Sequence, residues 1–151
     1  MQPFFTQTYG NAASRFHQHG KQARDAVELA RQEIASFIGA NPREIIFTSG
    51  ATESLNIALQ GLARAATKPG HFVSSTIEHP AVLDTLDALK ADGHRVTLVP
   101  VSADGLICPD AIADSIQPDT LAVCVIGASN EIGVIQPLAD IALHCQEANI
   151  P

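Results

Sequence analysis

Basic side chains are scarce in this sequence: nine Lys and Arg stand against sixteen Asp and Glu, a formal charge of −7. Nucleic-acid binding relies on clustered cations that neutralise phosphates, and the nine here are scattered, so no nucleic-acid partner is expected. No uninterrupted apolar run approaches membrane-spanning length, which excludes a helical span and any membrane partner that would need one. The start, Met1-Gln2-Pro3-Phe4-Phe5, lacks the basic head and long apolar core of a secretory signal, so a cytoplasmic location is expected. Cysteine is rare too. Cys108, Cys124 and Cys145 are an odd number at wide spacing, which fits neither a disulfide framework nor a paired Cys-x-x-Cys zinc site. Reduced thiols follow. Cys124, inside the apolar run 121–126, reads as a small core residue, and a nucleophilic role stays open for all three.

What is present is globular composition, 46% apolar and 17% charged over 151 residues, the size of one ordinary domain. An acidic small-molecule enzyme fits this balance. The sequence shows no internal repeat, low-complexity tract or linker. Over residues 17–38 the apolar side chains Ala23, Val27, Ala30, Ile34 and Phe37 recur at helical spacing, and Gly39 follows as a C-terminal stop. Asn41-Pro42 then turns the chain.

An alternation follows: strand 44–48, helix 52–66, strand 71–77, helix 80–91, strand 96–101, helix 109–116, strand 121–126, helix 137–148. The strands are short, nearly continuous apolar runs, as expected when helices cover both faces of a sheet. Pro80, Pro109 and Pro137 open three of the helices, where a fixed φ and a missing N–H are tolerated. The pattern predicts an α/β fold, a mostly parallel sheet with helices on both faces and right-handed crossovers. Ligands then gather at the carboxyl ends of the strands.

Three polar clusters fall at those ends. Ser49-Gly50-Ala51-Thr52 ends a strand and opens a helix, where unpaired N–H groups and the positive end of the helix dipole make an anion site. The same residues have a purely local reading, with Ser49 or Thr52 capping the helix and Glu53 complementing its dipole. This stretch matches neither a Gly-x-x-x-x-Gly-Lys-Ser/Thr loop nor a dinucleotide Gly-x-Gly-x-x-Gly. Ile77-Glu78-His79-Pro80 places an imidazole at the next strand end, able to stack on a flat ligand or to cap its helix. In Gly127-Ala128-Ser129-Asn130-Glu131-Ile132-Gly133, Asn130 is either a donor to a ligand oxygen or a turn residue. His17 and His19, two apart on a helix, point to different sides, so no metal site is expected.

The stretches "EIIFTSGATESLNIAL", "SSTIEHPAVL", "VTLVPVSADGLI", "PDTLAV" and "SNEIGVIQPLADI", in this order, resemble cysteine desulfurases, pyridoxal-phosphate enzymes of the class V aminotransferase group. Upstream, "YGNAASRFHQHGKQARDAVELARQEIASFIGA" resembles the family's lead-in segment. The resemblance assigns Ala51 and Thr52 to the cofactor phosphate, His79 to stacking on the pyridine ring and to proton movement, and Asn130 to the ring's phenolic oxygen. Ser129 stands where many relatives have a second Asn, and Leu55 where many have Asp.

A pyridoxal enzyme also needs a lysine to bind the cofactor covalently and an acid beside the ring nitrogen. The resemblance implies that both, with a Gln and the sulfur-accepting cysteine, lie beyond the position matching Pro151. Lys21, Lys68 and Lys90 match none of the family's positions, and Cys108, Cys124 and Cys145 do not inherit the sulfur-accepting role. The expected organisation is a lead-in segment with a long amphipathic helix over residues 1–40 and an incomplete α/β large domain of a fold type I enzyme over 41–151, without the family's small domain. The implied activity is removal of sulfur from L-cysteine to give alanine and an enzyme persulfide, with no turnover by this chain alone. A sulfur-acceptor protein, iron–sulfur cluster assembly and a homodimer are implied with it. Two alternatives stay open: another class V enzyme, such as a selenocysteine lyase or aminotransferase, and a non-catalytic α/β module pairing with a partner chain.

Overall fold

The computed structural model describes residues 2–14 and 16–151; Met1, at the start read as leaderless, and Arg15, inside the lead-in segment, lie outside the described residues. The chain forms two units, Met1–Phe47 and Thr48–Pro151.

In the first unit a short helix α1 (Gln2–Thr6) precedes the long helix α2 (Gln18–Ile38). His17 caps α2, its Nδ1 accepting from the Gly20 N–H at 3.3 Å while Nε2 meets the Ser14 hydroxyl at 2.8 Å. His19 instead stacks on Tyr9. Gly39 ends the helix with φ +70, in the left-handed region that favours glycine, and returns its N–H to Ala35 and Ser36. Of the apolar stripe, Ala23 is buried, while Val27, Ile34 and Phe37 are exposed, Phe37 at 92%.

The expected strand over 44–48 does not form. Asn41 and Glu44 instead close a capping box around a 3-10 turn, Pro42–Glu44, with Asn41 Oδ1 accepting from the Arg43 N–H and Glu44 Oε2 from the Asn41 N–H. The following extended residues pair with no strand among the described residues. Within this unit the Ile45 carbonyl accepts from the Arg31 guanidinium, which also lies 4.9 Å from the Phe47 ring centroid.

The second unit runs α3 (Ala51–Ala65), β1 (His71–Ser75), α4 (Pro80–Ala91), β2 (Arg95–Val99), α5 (Pro109–Ser115), β3 (Thr120–Cys124), α6 (Leu138–Ala148). The strands form a parallel sheet in the order β2–β1–β3. Pro80 and Pro109 occupy the first helical turn, whereas Pro137 sits one step earlier, as the N-cap of α6. Every residue of the central strand is buried, which explains its lack of polar–apolar alternation. On one face Phe72 and Ala122 pack with Leu59 and Ala63 of α3 and Val82, Leu86 and Leu89 of α4. On the other, Val73 and Val99 pack with Ile112 of α5 and Ile141 and Cys145 of α6. Alternate residues of one strand thus serve two cores, and helices cover both faces, as the sequence pattern predicts.

Candidate active site

The strand order reverses at β1: the chain leaves β1 through α4 toward β2, then crosses back to lay β3 on the other side. Loops leaving adjacent strands in opposite directions open a crevice at the carboxyl ends. A cleft of about 290 Å³ lies there. Ala51 and Thr52 line it from the start of α3, His79 from the loop after β1, and Asn130 from the loop after β3, so all four sequence-predicted residues share one cavity. Leu55, Val82, Val125 and Ile126 supply apolar wall.

The start of α3 carries no side-chain cap. Gly50 holds the N-cap position with extended backbone and has no side chain to offer an acceptor. Of the two hydroxyls that sequence offered as caps, Ser49 is engaged with Glu53, and Thr52 caps no N–H of the helix. Glu53 Oε2 accepts from the Ser49 N–H at 2.6 Å and from the Ser49 hydroxyl at 2.7 Å, bonds that hold its carboxyl below the usual range. The Thr48 and Ser54 hydroxyls lie 2.7 Å apart. Ser54 is the first residue of the helix whose N–H reaches a carbonyl, that of Gly50. The N–H groups of Ala51, Thr52 and Glu53 therefore meet no acceptor among the described residues, and they sit at the positive end of a 15-residue helix.

His79 caps α4, its Nδ1 accepting from the Ala81 N–H at 3.1 Å. The same ring lines the cleft. With Nδ1 committed as acceptor, the neutral ring carries its proton on Nε2. Asn130 stands exposed on a tight turn built by its buried neighbour: Ser129 Oγ accepts from the Glu131 and Ile132 N–H groups, both at 3.3 Å. The Gly133 N–H returns to the Ser129 carbonyl at 2.9 Å, and Gly133 takes φ +70. Gln136, buried behind this loop, donates to the Gly105 carbonyl and accepts from the Ile107 N–H, fixing the loop's far end.

Sequence reasoning passed over Glu78. Only 6% exposed, it places Oε1 2.6 Å from the Ser75 hydroxyl and 2.9 Å from the Ile126 N–H, so one carboxylate oxygen joins the ends of β1 and β3. Burial pushes its pKa up, against the pull of those two bonds. The only trace in the sequence is a Glu squeezed between a strand and a helix cap. Its partner Ile126 lies 48 residues away.

Cys124 lines the cleft half-buried, with its thiol pushed up to about 11 by burial and then by Glu78. Cys145 is buried and also raised by burial, Cys108 is exposed, and all three are free thiols. No lysine lines the cleft. Among the described residues no cluster of three His, Cys, Asp or Glu could hold a metal ion.

The chain matches the aminotransferase class-V family model over residues 1–150. A probable mitochondrial cysteine desulfurase of Schizosaccharomyces pombe is 53% identical over 151 residues, covering 99% of this chain and 30% of that protein. A mitosomal cysteine desulfurase of Trachipleistophora hominis is 44% identical over 153 residues, covering 99% of this chain and 35% of that protein. A solved structure, SspA in complex with cysteine, superposes with a TM-score of 0.91 at 36% identity, over 99% of this chain and 43% of that one. The chain thus spans about a third of the length of the curated relatives it matches.

These relatives correct the expectation of a cytoplasmic location, since one is named mitochondrial and another mitosomal. The expectation leaned on the composition of a few residues at the start of the sequence, and an address is not a property of a domain's charge or hydropathy. No described helix is long and apolar enough to cross a membrane.

Proposed function

The chain belongs to the class V aminotransferase family, and on that premise we propose that it forms the phosphate-holding and ring-holding part of a cysteine desulfurase. The whole protein takes sulfur from L-cysteine, releasing alanine and leaving the sulfur as a persulfide on an enzyme cysteine. Names of close relatives support that reaction, and a cysteine complex of a similar protein supports the substrate.

The family's cofactor is pyridoxal phosphate, which when bound supplies an electron sink for charge developing on the substrate. The residues present fit it. The observation that carries the reading is the uncapped start of α3, opening on the same cleft as the His79 ring and Asn130. The N–H groups of Ala51 and Thr52, with the Thr52 hydroxyl, hold the phosphate. His79 offers a flat face to the pyridine ring, and its Nε2 is the atom that holds and moves a proton. The Asn130 amide donates to the phenolic oxygen, and the apolar wall keeps water from the ring's flank. A sulfur-acceptor protein, service to iron–sulfur cluster assembly and homodimer formation belong to the same proposal, carried by the family resemblance.

The test is a titration of the purified chain with pyridoxal phosphate and with pyridoxal, followed by cofactor fluorescence. Binding that needs the phosphate supports the reading. Equal binding of the two, or none of either, removes it.

A second reading has its own observation. Val27, Leu29, Ile34 and Phe37 expose apolar surface along α2, which suits a non-catalytic module pairing with a partner chain. Monomeric behaviour at high concentration with no co-purifying chain counts against it.

A further inference from the structure

Glu78 has no place among the residues that touch a phosphate or a pyridine ring, yet its carboxylate ties the two strand ends flanking the cleft, one step beyond the bond that the Ser74 hydroxyl of β1 donates to the Cys124 carbonyl of β3 at 2.7 Å. Parallel strands exchange their last ladder bonds where the sheet ends, and beyond that point the loops diverge. In this fold β1 stops at Ser75 and β3 at Cys124, and their continuations separate toward α4 and the Asn130 turn. The two bonds to Glu78 Oε1 span that opening, one from Ser75 in β1 and one from Ile126 beyond β3. A backbone N–H held by a carboxylate is a charge-assisted bond, stronger and stiffer than a neutral one.

We propose that Glu78 is a positioning residue, a charged strut that fixes the width of the cleft by holding Ser75 and Ile126 on one oxygen. The residue after it is His79, so the strut also sets where that imidazole stands relative to the wall formed by Val125 and Ile126. The inference rests on the cofactor reading above. It adds a residue that acts through its neighbours and does not itself touch the cofactor. The titratable groups around the strut are His79, next in sequence, and Cys124 across the cleft, whose thiol stays protonated through the neutral range. No salt bridge reaches the carboxylate among the described residues. Its stability as an anion therefore depends on the two donors, and protonation removes the charge assistance from both bonds.

Two variants separate positioning from bulk stability. Glu78→Gln keeps an oxygen that accepts from both donors, and Glu78→Ala removes it. Both are compared with the parent for pyridoxal phosphate affinity at a temperature well below each melting point, with folding checked by circular dichroism. The expected result is an affinity within about twofold of the parent for Glu78→Gln and about tenfold weaker for Glu78→Ala. A folded Glu78→Ala chain that binds as the parent does overturns the proposal. A second readout needs no cofactor. The Ile126 amide resonance of the parent should move as acid is added, at a midpoint above the ordinary glutamate range, and should stay still over that range in Glu78→Gln. If the parent binds no pyridoxal phosphate, the cofactor reading fails and the strut is decided by this resonance alone. An Ile126 signal that does not respond to acid sinks it.

Discussion

The His71 ring joins β1 to β3 through Nδ1, which sits 2.9 Å from the Thr120 hydroxyl, and the same ring meets the Thr97 hydroxyl of β2 through Nε2, also at 2.9 Å. One imidazole, 1% exposed, therefore crosses the whole sheet at its amino end. Burial, and then the nearby Arg95 charge, hold its pKa below the ordinary value, with Asp119 opposing. A base whose pKa is lower in the folded state resists a proton that the unfolded chain accepts. Its contribution is complete above the unfolded value of about 6.5 and is lost as pH falls from there toward the depressed folded value. Urea unfolding of the parent should show stability dropping through that window. His71→Gln should show a shallower drop, together with a loss of roughly 1–3 kcal/mol at pH 7.5 from the broken bonds to Thr97 and Thr120, of which Thr120 keeps only the Gln117 N–H. Equal slopes in the two proteins would show that another group sets the acid sensitivity.

At the start of α3, Ala51 can be changed without disturbing the helix. Proline is tolerated in the first turn, and the preceding Gly50 already has extended backbone compatible with it. Ala51→Pro deletes one cleft-facing N–H and little else. The melting temperature should hold within a few degrees, while affinity for pyridoxal phosphate falls roughly tenfold, the worth of one bond to a charged group of about 1.5 kcal/mol. Unchanged affinity would mean that the phosphate sits elsewhere.

His79 carries a cap and a flat face on one ring, and substitution can part them. His79→Ala removes both, with an expected stability loss of about 1 kcal/mol, the usual worth of an N-cap. His79→Asn restores an acceptor for the Ala81 N–H and should recover most of that loss. Both variants should lose cofactor affinity alike, because neither has the ring. If His79→Asn bound as the parent does, stacking would be struck from the site.

Thiol labelling checks the cleft's electrostatics. Cys108 is exposed, Cys145 is buried, and the Cys124 thiol is pushed up to about 11. Thiolate is the reactive form, so iodoacetamide at pH 8 should modify Cys108 well before the other two. Preferential modification of Cys124, read by peptide mass, would contradict the described burial.

The second unit was legible because its signals are local. Apolar runs of four to six residues, a proline or glycine at each boundary, and one fold rule about strand ends were enough to bring His79 and Asn130 to one edge; Ala51 and Thr52 line the same cleft from the start of α3, although the strand expected before them does not form. Residues 44–48 misled because a strand is a property of a pair. Ile45 and Ile46 have the composition of a strand, yet Asn41 and Glu44 satisfy each other locally, and the Ile45 carbonyl is taken by a side chain of α2. Helix periodicity in α2 was read correctly, but a stripe tells which residues share a face and not whether anything covers it. Glu78 was illegible for a different reason. Its meaning depends on a backbone N–H 48 residues away, which no spacing rule connects to it.

The last prediction concerns turnover. Pyridoxal chemistry needs a lysine to bind the cofactor covalently and an acid to keep its ring nitrogen protonated. Among the residues lining the cleft there is neither lysine nor aspartate, and the one acid, Glu78, spends its inner oxygen on Ser75 and Ile126. Lys68 lies in the loop before β1, at the opposite end of the sheet from the cleft, and Lys90 pairs with Asp87 on α4. The 151-residue chain, supplied with pyridoxal phosphate and L-cysteine, should therefore release no alanine above the level of cofactor alone. Addition of a second polypeptide carrying the family's lysine and aspartate segments should restore release if the two halves dock, and the restored rate should fall with Ala51→Pro and with His79→Asn. Alanine released by the isolated chain above the cofactor control would show that a group already present does the lysine's work, and the assignment of roles in the cleft would have to be redrawn around it.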